Sequence, residues 1–213
     1  ARSNITHHTP EPMLAAYAAG TLPPVVETGV ATQVSRCAAC RAGVQAHEVA
    51  GGAVLEAGDG ADLSDALKSD VLALLDGPAP ADRPAPARKG IYPGPVIAAL
   101  KDREPRWKSL GMGVRQSILM DGPEGSLRLL HIPPGRAVPD HGHNGIEMTL
   151  VLQGSFADET GTFGVGDLEV ADEDLEHTPV AGQGLPCICL AATDAPLRFR
   201  TLVPRLLQPL FRI

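Results

Sequence analysis

The sequence predicts an α+β protein of two domains, small helices first and a β-rich barrel or sandwich after them. Three observations carry this. Up to residue 76 the apolar residues recur at helical spacings. Residues 77–95, "GPAPADRPAPARKGIYPGP", are dense in proline, which removes backbone donors and disfavours helix, so they read as an extended linker. From residue 107 the pattern changes to short β-rich runs separated by Gly, Pro and Asp turns, the spacing of an all-β unit. The expected division is therefore 1–76, a 77–95 linker, and 96–213.

The helices follow in order. "EPMLAAYAAG" has Pro12 near its start and Gly20 as a stop, which suits a short helix. Residues 25–50 keep helical spacing, with Gly29 and Gly43 as weak points. "DLSDALKSDVLALLDG" opens on a capping Asp62 or Ser64, carries Leu63, Leu67, Val71, Leu74 and Leu75 as one apolar stripe, and ends at Gly77. Three or four such helices bury little surface alone. They call for a metal, a second domain or a partner. "PGPVIAALKD" reads as one more helix. The strand runs are "GVRQSILMD", "SLRLLHIP", "EMTLVLQGSF", "GDLEVAD", "CICLAATD" and "LRFRTLVP".

Composition excludes several classes. The chain of 213 residues carries a net charge of −7 with 44% apolar and 3% aromatic residues. The charge divides as −3 over 1–90 and −4 over 91–213, so neither half has the basic footprint of a nucleic-acid binder. No apolar run approaches the roughly 20 residues of a membrane span. The four cysteines are Cys37, Cys40, Cys187 and Cys189. So few, without a secretion leader, point to reduced thiols or metal thiolates in a cytoplasm rather than a disulfide framework.

The chemistry concentrates in "GRAVPDHGHNGIEMTLVLQG", Gly135 to Gly154, where His141, His143 and Glu147 fall within seven residues. His141 and His143, two apart, share one face of an extended strand. Glu147 joins them after a short turn at "NGI". His177, thirty residues past Glu147, is the fourth candidate, brought across by a second strand. Three imidazoles and a carboxylate suit Zn²⁺, Fe²⁺, Mn²⁺ or Ni²⁺, and ligand type alone does not choose among them. His131 lacks such support and reads as an ordinary residue.

This stretch resembles the first cupin motif: Gly135, five residues, His141-x-His143, three residues, Glu147, six residues, Gly154. Gly166 and His177, with ten residues between them, match the second motif. Asp172 and Asp174 stand where that motif has Pro-x-Gly, and Ala181 where it has Asn. The resemblance covers about 107–205. It implies a double-stranded β-helix, a jelly roll, with the metal inside.

In the first half, Cys37 and Cys40 are three apart in a helical stretch and share one face. With His8 and Gln33 they resemble the zinc-binding anti-sigma domain, whose pattern is His, a second His 25 residues on, x3-Cys-x2-Cys. Gln33 stands where the second His belongs, and an amide is a poor zinc ligand. Zinc would be held by His8, Cys37 and Cys40, with water or His7 completing the set. Otherwise zinc is lost, and packing holds two buried thiols. His47 is a weaker candidate, about 10 Å past Cys40 along a helix axis.

Both halves together, with "ATQVSRC" and the run "CICLAATDAPLRF…LVPRLLQPLFRI", resemble the ChrR family of anti-sigma factors over nearly the whole chain. The resemblance implies a helical domain that sequesters an extracytoplasmic-function sigma factor. It also implies a cupin domain needed for the response to oxidative stress, singlet oxygen included. Direct DNA binding is not expected. Cupins often pair through exposed strands, which leaves a homodimer open. The rival function is a cupin metalloenzyme such as a non-haem iron dioxygenase. Cys187 and Cys189, alternating on a strand, are either redox-active thiols near the metal or small buried residues.

Overall fold

The computed structural model describes residues 5–78, 86–139, 141–142, 144–195 and 198–199; for His141, Arg198 and Phe199 it describes the backbone alone. Five helices come first: α1 Glu11–Ala18, α2 Pro24–Val34, α3 Ala38–Ala57, α4 Asp65–Ala73 and α5 Gly94–Ala99. The strands are β1 Lys108–Gly111, β2 Val114–Gly122, β3 Gly125–Ile132, β4 His141–Gly142, β5 Glu147–Gln153 and β6 Phe156–Ala157. There follow β7 Thr162–Phe163, β8 Leu168–Ala171, β9 Glu176–His177, β10 Val180–Ala181, β11 Cys187–Thr193 and β12 Arg198–Phe199. Helices followed by a β-sheet cupin unit are what the sequence predicts.

Local chemistry explains the boundaries. Prolines open α1, α2 and α5 at positions where no backbone donor is required. The Ser64 side chain caps α4 by accepting from the Leu67 N–H, 3.2 Å away. The helical run expected over 25–50 is broken. Residues 35–37 leave the helix, and Cys37 takes an extended conformation (φ −107°, ψ 118°) as the N-cap of α3. Its thiol accepts from the Cys40 N–H at 3.4 Å, a capping role that sequence periodicity does not register.

All strand pairs are antiparallel. Six strands in the order β1-β2-β3-β11-β5-β8 form the main sheet. Two small sheets, β10-β6-β7 and β12-β4-β9, complete the unit. Alternation divides the main sheet into two faces. On one face Leu127, Leu129, Met148, Leu150 and Leu190 share a core with Val26 and Val30 of α2 and Val96 and Ile97 of α5. On the other, Ile132, Val151, Cys187 and Cys189 pack with Phe156, Phe163 and Ala181 of the small sheet. Each large side chain fully buried here contributes about 1.5–3 kcal/mol.

The helices therefore do not stand apart from the sheet. Helix α2 lies directly on the sheet: a Cβ on Gly29 would be in ordinary contact with the Met148 methyl at 3.5 Å and Ala192 Cβ at 3.9 Å. A strap in front of α1 joins them again. The Asp167 carboxylate accepts from the backbone N–H of Thr6 (2.7 Å), His7 (2.9 Å) and Gly164 (2.8 Å). The Leu168 N–H donates to the His7 carbonyl at 3.1 Å. The His7 ring lies against Phe163, centroids 4.5 Å apart.

The glycines bounding the first cupin-like motif are backbone requirements. Gly135 and Gly154 have φ of +67° and +70°, the region only glycine enters freely. A Cβ on Gly154 would lie 2.8 Å from the Pro186 carbonyl oxygen. At the departure from Pro-x-Gly, Asp172 builds its own turn. Its Oδ1 accepts from the Asp174 N–H at 3.1 Å and its carbonyl from the Leu175 N–H at 3.2 Å.

Candidate metal centres

The first centre gathers at the start of α3. His8 Nδ1 lies 3.3 Å from Cys37 Sγ and 3.7 Å from Cys40 Sγ. The three donor atoms are all within 4.8 Å of one another, with both cysteines buried and His8 exposed. Burial pushes the Cys40 thiol up to about 11, so without a cation it keeps its proton. Two thiolates and an imidazole fit a soft or borderline divalent ion.

Gln33 does not fit as the fourth donor. Its side chain is fully buried. Oε1 accepts from the Thr9 N–H (2.7 Å) and the Thr9 hydroxyl (2.5 Å). Nε2 donates to the carbonyls of His7 (2.8 Å) and Gly166 (3.1 Å). Both lone-pair directions and both amide hydrogens are spent. The Cys40 thiol also points at Oε1, 3.6 Å away. The other two histidines are elsewhere. The His7 ring is held at Phe163 with Nδ1 3.1 Å from the Thr6 hydroxyl. His47 Nε2 meets Glu11 Oε1 at 2.8 Å, tying α3 to α1.

The second centre lies inside the β unit. Strands β4 and β9 pair so that His141 and His177 are register partners. Glu147, the first residue of β5, stands opposite Thr193 on one side and Ala171 on the other. It is buried, and its charge acts on His177, Cys189 and Arg128. The expectations placed on His143 and on the His141 side chain lie outside the described residues. His131 turns away, its ring edge-on to Trp107 at 5.9 Å. An imidazole and a buried carboxylate inside a barrel suit a divalent cation, because a buried anion needs compensation.

Two carboxylates beside His177 are not foreseen from the sequence. Its Nδ1 lies 2.7 Å from Asp158 Oδ2 and 3.4 Å from Glu169 Oε1. Burial, and then the neighbouring Asp158, raise Glu169 to about 7. Burial works to raise Asp158 too, but hydrogen bonds from Glu169, Thr160 and His177 outweigh it and hold Asp158 well below the usual range. Burial works to lower His177, yet Glu169 and Asp158 keep it up at about 9. The signal for Glu169 is its strand alternation: Leu168 and Val170 join the helix-side core, which turns Glu169 inward.

A family profile described as the ChrR Cupin-like domain matches residues 97–195. Anti-sigma-E factor ChrR of Cereibacter sphaeroides is 52% identical over 213 residues, 98% of this chain and 99% of that protein. The chain belongs to the ChrR family of anti-sigma factors. Similarity extends to the fold. The crystal structure of Rhodobacter sphaeroides SigE in complex with the anti-sigma ChrR matches with a TM-score of 0.78 and 48% identity. It covers 90% of this chain and all of that one.

In this ChrR family member the other two cysteines are enclosed. Cys187 and Cys189 are buried at 0% and 1% exposure. Hydrogen bonding with Cys187, then burial, push the Cys189 thiol well above its ordinary value. A protonated, enclosed thiol is a poor nucleophile. No helix among the described residues is long and apolar enough to cross a membrane.

Proposed function

We propose that the chain sequesters an extracytoplasmic-function sigma factor through its helices and responds to oxidative stress, singlet oxygen included, through its cupin unit. One observation carries the first part. The second half of α3, α4 and the residues on either side of α4 turn large apolar side chains to solvent. Val54 is 74% exposed, Leu55 82%, Leu63 70%, Val71 53% and Leu75 77%. No residue of α4 is buried. Apolar surface of this extent marks a docking face, and a pair of amphipathic helices suits a helical partner. That ChrR is seen in complex with SigE supports the same reading here, and favours a regulator over a metal-dependent dioxygenase.

The division into a helical unit over 1–76, a linker over 77–95 and a cupin unit over 96–213 belongs to this proposal. So do the ligands. His8, Cys37 and Cys40 would hold zinc in the first unit. His141, His143, Glu147 and His177 would hold zinc or another divalent metal in the second. A bound ion would supply a cross-link between segments distant in sequence. The Cys37 cap and the Asp167 strap support the His8, Cys37 and Cys40 group, and the β4–β9 register sets the backbone of His141 opposite that of His177.

The test is co-purification of the full chain with an extracytoplasmic-function sigma factor from its own cell. A stoichiometric complex that blocks transcription by the sigma-loaded polymerase is expected. A chain that elutes alone and leaves transcription unchanged would refute the reading.

A further inference from the structure

The β6–β7 hairpin turns at Asp158–Gly161, and that turn is built to hold one carboxylate. Asp158 Oδ1 accepts from the Thr160 N–H (2.8 Å), the Thr160 hydroxyl (2.7 Å) and the Gly161 N–H (3.2 Å). These bonds fix the group and leave Oδ2 aimed at His177 Nδ1, 2.7 Å away. The Asp158 side chain is 0% exposed, that of His177 2% and that of Glu169 4%. Glu169 approaches from β8 and meets the Thr160 hydroxyl at 3.1 Å.

We infer that Asp158, backed by Glu169, is the positioning residue of the barrel centre: it keeps the His177 proton on Nδ1 and the ring in one orientation, so that Nε2 is the ligating atom. A carboxylate oxygen only accepts, so the nitrogen 2.7 Å from it carries the hydrogen. The lone pair of the neutral ring is then on Nε2. Ligating histidines are commonly oriented this way through their second nitrogen. The inference rests on the proposal that the barrel holds a metal through His177.

A competing arrangement has Asp158, Glu169 and His177 as ligands themselves, since one donor atom from each lies within 4.8 Å of the others. The occupancy of Asp158 Oδ1 by its own turn, and the short contact to Nδ1, favour positioning.

The test is metal binding by the full chain, read with zinc under chelator competition and with cobalt by absorption. Cobalt on the barrel donors lacks the thiolate bands that Cys37 and Cys40 give. Asp158→Ala is expected to weaken the thiolate-free site roughly 10–100-fold. Asp158→Asn, whose one amide oxygen is taken by the Thr160 and Gly161 donors so that its NH2 faces Nδ1, keeps the turn and is expected to weaken the site to a similar extent. Thr160→Val, at an exposed turn position, gives a smaller loss and serves if Asp158→Ala does not fold. Unchanged affinity in these variants, with only the metal-free unfolding midpoint shifted, overturns positioning. So does loss of binding in Asp158→Ala alongside retention in His143→Ala, which would make the carboxylates the ligands. A wild-type chain with no thiolate-free cobalt site sinks the barrel-metal proposal itself, and this inference with it.

Discussion

Gln33 and Gly166, 133 residues apart, are joined by an amide hydrogen bond of 3.1 Å. The same side chain holds Thr9 and His7. A residue at an expected metal-ligand position thus fastens the helices to the barrel. Gln33→Ala would leave buried donors and acceptors unmatched, each costing about 1–3 kcal/mol. Denaturant unfolding of the metal-free chain is expected to show at least that loss. A wild-type midpoint would mean the bonds are dispensable.

Gln33→His should trade one function for the other. A second imidazole beside His8, Cys37 and Cys40 is expected to tighten zinc at least tenfold, measured by chelator competition. The metal-free variant should unfold earlier than wild type, because the bond to Gly166 is lost. Weaker zinc in this variant would show that the amide geometry does not admit a ligand.

The Asp167 strap gives a pH dependence with a definite sign. Burial works to raise this carboxyl, but the backbone N–H groups of His7, Gly164 and Thr6 outweigh it and lower it. A lowered folded-state value means the stabilisation is present above the ordinary carboxylate value. It fades as pH falls through the lowered one. Asp167→Asn is expected to cost roughly 1.5–3 kcal/mol near neutrality and to flatten the acid limb of the stability curve. An acid limb identical to wild type would exclude Asp167 as its source.

The exposed apolar face separates docking from folding. Val71→Asp together with Leu75→Asp should change stability by only about 0.5 kcal/mol per site, as for other surface positions. Sigma-factor affinity should fall at least tenfold, by titration of the purified partner. Full retention of binding would place the docking surface elsewhere.

Removal of metal should act first on the helices. Cys40→Ser, or chelation of the wild type, is expected to lower the helical unfolding midpoint by several degrees, read by far-ultraviolet dichroism. No change would show that Leu14, Val30 and Val44 hold α1–α3 together without a cross-link.

Much of this architecture was legible in the residues. The strand runs carry a local signal that burial reinforces, and the Ser64 cap is legible although its helix is exposed. His8, Cys37 and Cys40 converge as their spacing suggests, although Cys37 serves as a cap and not as a helical residue. Tertiary relationships were not legible. Gln33 looked like a lost ligand, because nothing near it in sequence reveals Gly166 as its acceptor. Asp158 and Glu169 lie in ordinary turn and strand contexts, and only the meeting of β6–β7, β8 and β9 gives them a shared histidine.

Helix α2 stands with the amino-terminal helices by sequence and with the barrel by packing. Backbone scission between residues 79 and 85 would therefore leave two pieces still gripping each other. Parting those pieces would take an unseating of α2 from Met148 and Ala192 as well as the cut. The seam would act as a catch that one cut in the chain does not lift.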